Sequence, residues 1–95
     1  MKLKSISNNE TEITTETGTR ILFSYETPVA VINSQGDCFT TEKKYSNTTT
    51  RHINKWVNGL NYTSVPQPVI NLLIADSILK IVSLYSDNYL TNTGG

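Results

Sequence analysis

The chain has 95 residues, a formal net charge of zero and a hydrophobic content of 37%. This length predicts a single domain, and the neutral total excludes a protein whose whole surface is a polyelectrolyte. Serine, threonine and asparagine together number 33, so we expect a modest core under a surface rich in hydroxyl and amide groups. Cys38, the single cysteine, excludes an internal disulfide and fits a reducing compartment.

The sequence also gives no indication of export or of membrane insertion. The N-terminal residues lack the apolar stretch of a signal peptide. The most apolar segment, residues 69–85, is interrupted by Asn71, Asp76, Lys80 and Ser83, whereas a membrane-spanning helix needs about 20 apolar residues. We therefore expect a cytoplasmic protein with no membrane partner.

The first forty residues predict β-strands. Residues 20–26 alternate between apolar and polar side chains, and the neighbouring segments are rich in threonine. Turn residues at Asn8-Asn9, at Gly18 and at Asn33–Gly36 separate these segments. The pattern predicts an antiparallel meander of three to five strands.

The second half predicts two helices. Ser46 or Asn47 is a suitable N-cap for the first helix, and Gly59 is well placed to end it. Thr49, Ile53, Trp56 or Val57, and Leu60 recur at helical spacing, so Trp56 is expected to be largely buried with Ile53 and Leu60.

Residues 61–68 are interpreted as a linker, and the second helix is expected from about Pro68 to Ser86. The resulting fold class is α+β, with a meander followed by two helices packed on one face of the sheet. Residues 1–86 would form the domain and residues 87–95 a flexible tail.

The second helix carries an apolar arc about twice as wide as one packed surface needs, at roughly 100°. Two explanations remain open. The helix could lie centrally, between the sheet and the first helix, or it could dock a partner, most simply a second copy of the chain. In the second case Leu72, Leu79 and Val82 would form the dimer or partner face.

The residue inventory argues against catalysis. Cys38 and His52 are single, no G-x-S-x-G elbow is present, and one Cys with one His cannot complete a zinc site. The glycines before residue 60 are isolated and form no phosphate loop. We therefore expect a non-enzymatic protein with no catalytic residues, no metal and no cofactor.

Charge is concentrated in one segment. Residues 43–56 carry four basic side chains and no acidic one, at the expected start of the first helix. A helix N-terminus with hydroxyls and cations suits phosphate, and a tyrosine can stack on a base. Thr48, Arg51, His52 and Lys55 would share its outer face. The predicted nucleic-acid or phosphate contacts are Lys43, Lys44, Tyr45, Thr48, Thr49, Thr50, Arg51, His52 and Lys55. The alternative is an ordinary solvated helix face, with residues 48–50 merely capping the helix.

Two runs carry a resemblance. The run F-S-Y-E-T-P-V-A at residues 23–30 and the run K-Y-S-N-T-T-T-R-H-I at residues 44–53 resemble small uncharacterised proteins of bacteriophages and mobile elements. The resemblance covers residues 20–58 and implies a bacterial host cytoplasm, but it implies no activity. The predicted function is contact with nucleic-acid phosphates. The alternatives are a protein that binds and inhibits or adapts a host protein, and a virion or assembly component.

Overall fold

The computed structural model describes residues 1–78, which form one six-stranded sheet and two helices. The strands and the first helix have the following bounds: β1 Lys2–Ser7, β2 Glu10–Thr14, β3 Arg20–Ser24, β4 Thr27–Ile32, β5 Cys38–Thr41, α1 Asn47–Trp56 and β6 Tyr62–Val65. The second helix, α2, covers residues 67–78 of the described part. The predicted residues 79–86 of α2, which include Leu79 and Val82, and the predicted tail lie outside the described residues.

The strand order in the sheet follows the order in the chain, from β1 to β6. The pairs from β1–β2 through β4–β5 are antiparallel, which confirms the meander and the α+β class. β6 pairs parallel to β5, and α1 is the crossover between them. The sheet thus has one strand more than the predicted maximum of five, because β6 lies in the segment interpreted as a linker.

Local signals set the ends of α1. Ser46 has extended backbone angles, and its Oγ accepts a hydrogen bond of 3.1 Å from the Thr49 amide. After the helix, Gly59 adopts a φ of 81°, a conformation that glycine tolerates best. Both features agree with the predicted cap and stop residues. The start of α2 lies one residue before the predicted Pro68.

The two helices lie on opposite faces of the sheet, so the prediction of both on one face is wrong. Successive strand residues point to opposite faces, yet Ile21 and Leu22 are both buried. Ile21 packs in a cluster with Ile70 of α2, whereas Leu22 packs in a cluster joined by Ile53 of α1. A strand buried on both sides needs a covering layer on each side, and each helix supplies one.

Candidate functional site

The inward face of α1 is polar as well as apolar. Thr49 and His52 are buried against β3, where Ser24 Oγ lies 2.9 Å from Thr49 Oγ1 and 2.8 Å from His52 Nδ1. The prediction that His52 lies on the exposed outer face is therefore wrong, and Thr49 is likewise not presented to a ligand. The reason is the helical rotation, because residues 49, 52, 53 and 56 form the stripe that faces the sheet.

Lys55 has an exposed side chain, but its ammonium group reaches a carboxylate of the sheet. Its Nζ lies 2.9 Å from Oε1 of Glu10, a β2 residue whose side chain is 0% exposed. Ser7 Oγ donates a second hydrogen bond of 2.7 Å to the same oxygen. Lys55 was predicted as a phosphate contact, but its charge already faces a carboxylate. We therefore remove it from the candidate site.

Glu10 is held in its ionised form despite its burial. Burial raises the pKa of its carboxyl, but the hydrogen bonds from Lys55 and Ser7 and the charge of Lys55 outweigh that effect, so the pKa lies below its ordinary value. Its second oxygen, Oε2, is buried and has no hydrogen-bond partner among residues 1–78. Glu10 thus depends on Lys55 for compensation of its charge.

Glu12 forms a second acidic contact with the helix. Its Oε1 accepts hydrogen bonds from Arg20, at 2.7 Å, and from Trp56 Nε1, at 2.8 Å. The Arg20 guanidinium also lies 5.6 Å from the Trp56 ring centroid. Burial raises the Glu12 pKa, but the hydrogen bonds from Arg20 and Trp56 lower it by more. The pKa therefore lies below its ordinary value. Trp56 is half-buried instead of largely buried, and its expected neighbour Leu60 is exposed.

Three basic side chains of the predicted segment remain open to solvent. Lys43, Lys44 and Arg51 are exposed and make no ion pair within the described part of the chain. We call these three residues the basic corner. Lys43 Nζ lies 5.1 Å from the ring centroid of Tyr45, whose hydroxyl donates to Gln67 Oε1 at 3.0 Å. Tyr45 is therefore oriented by both a cation and α2, and it keeps 39% exposure.

The remaining two threonines of the predicted site differ in accessibility. Thr48 is half-buried, whereas Thr50 is exposed. Thr50 Oγ1 donates to the Ser46 carbonyl at 3.1 Å, one turn before it. Thr49, between them, supports the helix start, because its amide donates to Ser46 Oγ and its Oγ1 accepts from the same hydroxyl at 3.2 Å. The alternative prediction, in which this threonine run supports the helix start, thus describes part of its role.

A groove separates α1 from the β5–β6 edge of the sheet. Its cavity volume is about 260 Å³. The lining residues are Thr40, Thr41, Glu42, Lys43, Lys44, Thr50, Ile53, Asn54, Tyr62 and Ser64. We call this cavity the edge groove. Its lining combines hydroxyls, one amide, two cations of the basic corner, the carboxylate of Glu42, the aliphatic Ile53 and one aromatic ring.

Sequence reasoning missed Tyr62 and Ser64 as groove residues, because they belong to β6. The available signal was the short run Tyr62–Val65, whose aromatic and β-branched residues are typical of a strand. Its four residues and the prolines that follow at 66 and 68 favoured a linker instead. A parallel partner is specified by the crossover and not by any local pattern.

Other chemistry expected from the sequence can be compared with the described residues. Cys38 is buried, and burial raises the pKa of its thiol while the charge of Arg20 opposes that effect, as is typical of a small thiol in a core. Within residues 1–78, no three His, Cys, Asp or Glu side chains are grouped so as to hold a metal ion. No helix in that range is long and apolar enough to cross a membrane.

Comparisons with known proteins give a family but no activity. No curated protein and no solved structure matches the chain. A family model with the description "Family of unknown function (DUF8033)" matches residues 1–71, which contain all six strands, α1 and the start of α2. Because this match covers most of the chain, the protein belongs to the DUF8033 family.

Proposed function

We propose that this protein is a non-enzymatic binding protein that contacts nucleic-acid phosphates through the basic corner and the edge groove. The observation that carries the proposal is the exposure of Lys43, Lys44 and Arg51 without carboxylate partners among the described residues. The other basic residue of the segment, Lys55, is paired with Glu10. Two of these cations, Lys43 and Lys44, line the edge groove beside its hydroxyls, and Arg51 adds a third exposed cation on α1, an arrangement that suits a sugar-phosphate chain.

The proposal assumes three phosphate contacts, one fewer than the charge count of residues 43–56 gives. Four basic residues in the segment would neutralise four phosphates, but only the three residues of the basic corner remain available. Each neutralised phosphate contributes about −0.9 to the slope of log K against log salt on duplex DNA and about −0.7 on a single strand. The expected slope is therefore roughly −3 on duplex and roughly −2 on a single strand.

The experiment is a binding titration by fluorescence anisotropy with labelled oligonucleotides of about 20 residues, at salt concentrations from about 50 to 200 mM. Wild-type protein should bind with the expected slope. The double variant Lys43→Gln/Lys44→Gln should bind more weakly, and its slope should be shallower by the contribution of about two phosphate contacts. The matched control is Lys2→Gln/Lys4→Gln, which removes two exposed lysines from β1 at the opposite edge of the sheet.

Two outcomes would overturn the proposal. One is an absence of salt-sensitive binding to DNA and RNA at the lowest salt concentration. The other is an equal loss of affinity in both double variants, because such a result reports net charge rather than a site at the basic corner.

A second candidate is binding of a host protein, in keeping with the resemblance to bacteriophage and mobile-element proteins. The observation in its favour is the exposure of Leu72 and Ile78 on α2, at 67% and 46%. Affinity capture from a bacterial lysate, with and without nuclease treatment, separates the two candidates. A stoichiometric protein that survives nuclease and is lost with Leu72→Lys would support this candidate and argue against nucleic acid as the main ligand.

A further inference from the structure

Tyr62 occupies a distinctive position at the edge of the sheet. It lies on β6 opposite Cys38 of β5, and Cys38 packs in the cluster that Val57 joins after α1. Tyr62 is therefore on the α1 face of the sheet, beside the helix rather than under it. Its side chain is 50% exposed although it is a large aromatic residue.

Tyr62 also joins two concave surfaces. It lines the edge groove, and it lines a second cavity of about 450 Å³ formed by residues 36–39 and 60–63. Leu60, at the margin of that second cavity, is 47% exposed. Tyr62 is thus the lining residue that the two cavities share, and its ring is exposed at the β5–β6 edge of the sheet.

Two lysines of the edge groove lie beyond the end of β5 that is farther from Tyr62. Cys38, which is paired with Tyr62, begins β5, and Lys43 and Lys44 follow the end of β5 at Thr41. The strand spans roughly 10 Å from Cys38 to Thr41, at about 3.3 Å per residue. Glu42 lines the groove beside Lys43 and Lys44, so this end holds two cations and one carboxylate and keeps a net positive charge. Asp37 lines the second cavity, at the other end of β5. Phosphates are therefore favoured at the lysine end, and an uncharged base is the better occupant near Tyr62.

We propose that the ligand of the edge groove is a single strand of nucleic acid, whose phosphates contact the lysines and one of whose bases stacks on Tyr62. This inference rests on the proposed function and names the form of the nucleic acid. A ring half open to solvent offers a face on which an unpaired base can stack. Bases within a duplex are stacked on one another and cannot use that face without being unstacked.

The lining of the groove predicts weak discrimination between sequences. Four hydroxyl residues line it, Thr40, Thr41, Thr50 and Ser64, and a hydroxyl can either donate or accept a hydrogen bond. Two of these hydroxyls already have backbone partners, because Thr41 Oγ1 accepts from the Lys43 amide and Thr50 Oγ1 donates to the Ser46 carbonyl. Thr40 Oγ1 and Ser64 Oγ lie 3.4 Å apart, so part of this hydrogen-bonding capacity is already shared between β5 and β6. Stacking accepts every base because every base has a π-face. Preference for single strands over duplex is therefore expected to exceed any sequence preference.

The test compares labelled single-stranded oligonucleotides with hairpin duplexes of the same length, for wild type and three variants. Tyr62→Ala should lose roughly tenfold in affinity for the single strand and little for the duplex, whereas Tyr62→Phe should keep the wild-type affinity. Tyr25→Ala is the matched control, because Tyr25 is exposed to a similar extent, 52%, at the β3–β4 hairpin. Circular dichroism of each variant verifies that the fold is retained.

The outcomes separate this inference from the proposed function. Unchanged single-strand affinity in Tyr62→Ala, with weakened binding in Lys43→Gln/Lys44→Gln, would overturn the stacking site and leave phosphate contact in place. An equal loss on single strand and duplex would also overturn it. If wild-type protein binds neither form, the proposed function fails and this inference fails with it. If Tyr62→Ala does not fold, Tyr62→Leu replaces it, and full affinity in that variant would overturn stacking.

Discussion

Lys55 Nζ of α1 lies 2.9 Å from Glu10 Oε1 of β2, and this ion pair ties the last turn of the helix to a strand 45 residues earlier in the chain. The two residues have very different surroundings. Glu10 is 0% exposed, whereas the side chain of Lys55 is 58% exposed. The pair is therefore asymmetric: removal of the lysine leaves a buried charge, and removal of the glutamate leaves a solvated one.

The first prediction follows from this asymmetry. Lys55→Met should lower the free energy of unfolding at pH 7 by about 1–3 kcal/mol, because the buried Glu10 carboxylate then loses its compensating charge. Glu10→Gln should cost less, since Lys55 can turn its ammonium group to water. Urea unfolding followed by circular dichroism measures both values.

The control for this pair is Lys44→Met, which removes an exposed lysine without an ion pair among residues 1–78. Its effect should lie within about 0.5 kcal/mol of zero. Equal costs for Lys55→Met and Glu10→Gln would contradict the asymmetric description of the pair.

The second prediction concerns acid stability. The pKa values of Glu10 and Glu12 both lie below their ordinary value of 4.5 in the folded chain, for the balance of burial and hydrogen bonding given above. The folded state thus binds these protons less tightly than the unfolded state. Their contribution to stability is complete above about pH 4.5 and is lost as the pH falls through the folded-state values.

Unfolding free energies measured between pH 7 and pH 3 should therefore stay level and then decline below about pH 4.5. The variant Glu10→Gln/Glu12→Gln should show a shallower decline over the acidic part of the range, because both titrating groups are gone. A variant that declines as steeply as wild type would show that other carboxylates control the acid transition.

The third prediction concerns the β3–β4 hairpin, where Tyr25 adopts a φ of 58°. The left-handed region costs a residue with a side chain roughly 1–2 kcal/mol. Tyr25→Gly should therefore raise the free energy of unfolding, by about 0.5–1 kcal/mol after the greater entropy of glycine in the unfolded chain is subtracted. Thermal unfolding measures the change.

Gly36→Ala is the converse variant for this prediction. Gly36 has a φ of 90°, and a methyl group there would meet no atom within 4 Å. Any loss of stability in Gly36→Ala therefore reports backbone conformation alone. A lower stability of Tyr25→Gly would contradict this prediction. It would show that the contacts of the Tyr25 ring, which lies 6.3 Å from the His52 ring, stabilise the fold by more than the left-handed backbone conformation costs.

Local signals made part of the fold predictable. The strands of the meander and the ends of α1 follow from alternation, from turn residues and from the caps at Ser46 and Gly59, all of which act within a few residues. β6 did not follow, because it is short and its pairing with β5 depends on the α1 crossover. The placement of the helices on opposite faces required the burial of both Ile21 and Leu22, which alternation alone does not reveal.

The candidate site was predictable only in part, for an electrostatic reason. A charge count by segment gives residues 43–56 four cations, but it ignores partners that are distant in sequence. Lys55 is paired with Glu10, so the count overstates the available charge by one. The same limitation applies to Trp56, which lies inside the segment. Its indole N–H donates to Glu12, which also pairs with Arg20, and a count over residues 43–56 includes neither of these charged residues.

The fourth prediction concerns α2 and its partner. Ile70 of α2 is fully buried, and Leu73 and Ile74 pack in the same cluster on the sheet. α1 covers the other face of the sheet, so it cannot cover the outer side of α2. Of the two explanations for the wide apolar arc, the central position of α2 is therefore wrong over residues 67–78. Leu72 remains 67% exposed.

We accordingly predict a homodimer in which Leu72 lies near the two-fold axis, since an isologous contact covers the same apolar patch on both copies. Light scattering at tens of micromolar protein should give the mass of a dimer, and Leu72→Lys should convert it to a monomer by placing two like charges at the interface. Asn71→Lys, which adds the same charge at a neighbouring exposed position, should leave the dimer intact. A monomeric wild type at these concentrations would reject the dimer and leave Leu72 as a surface for a different protein.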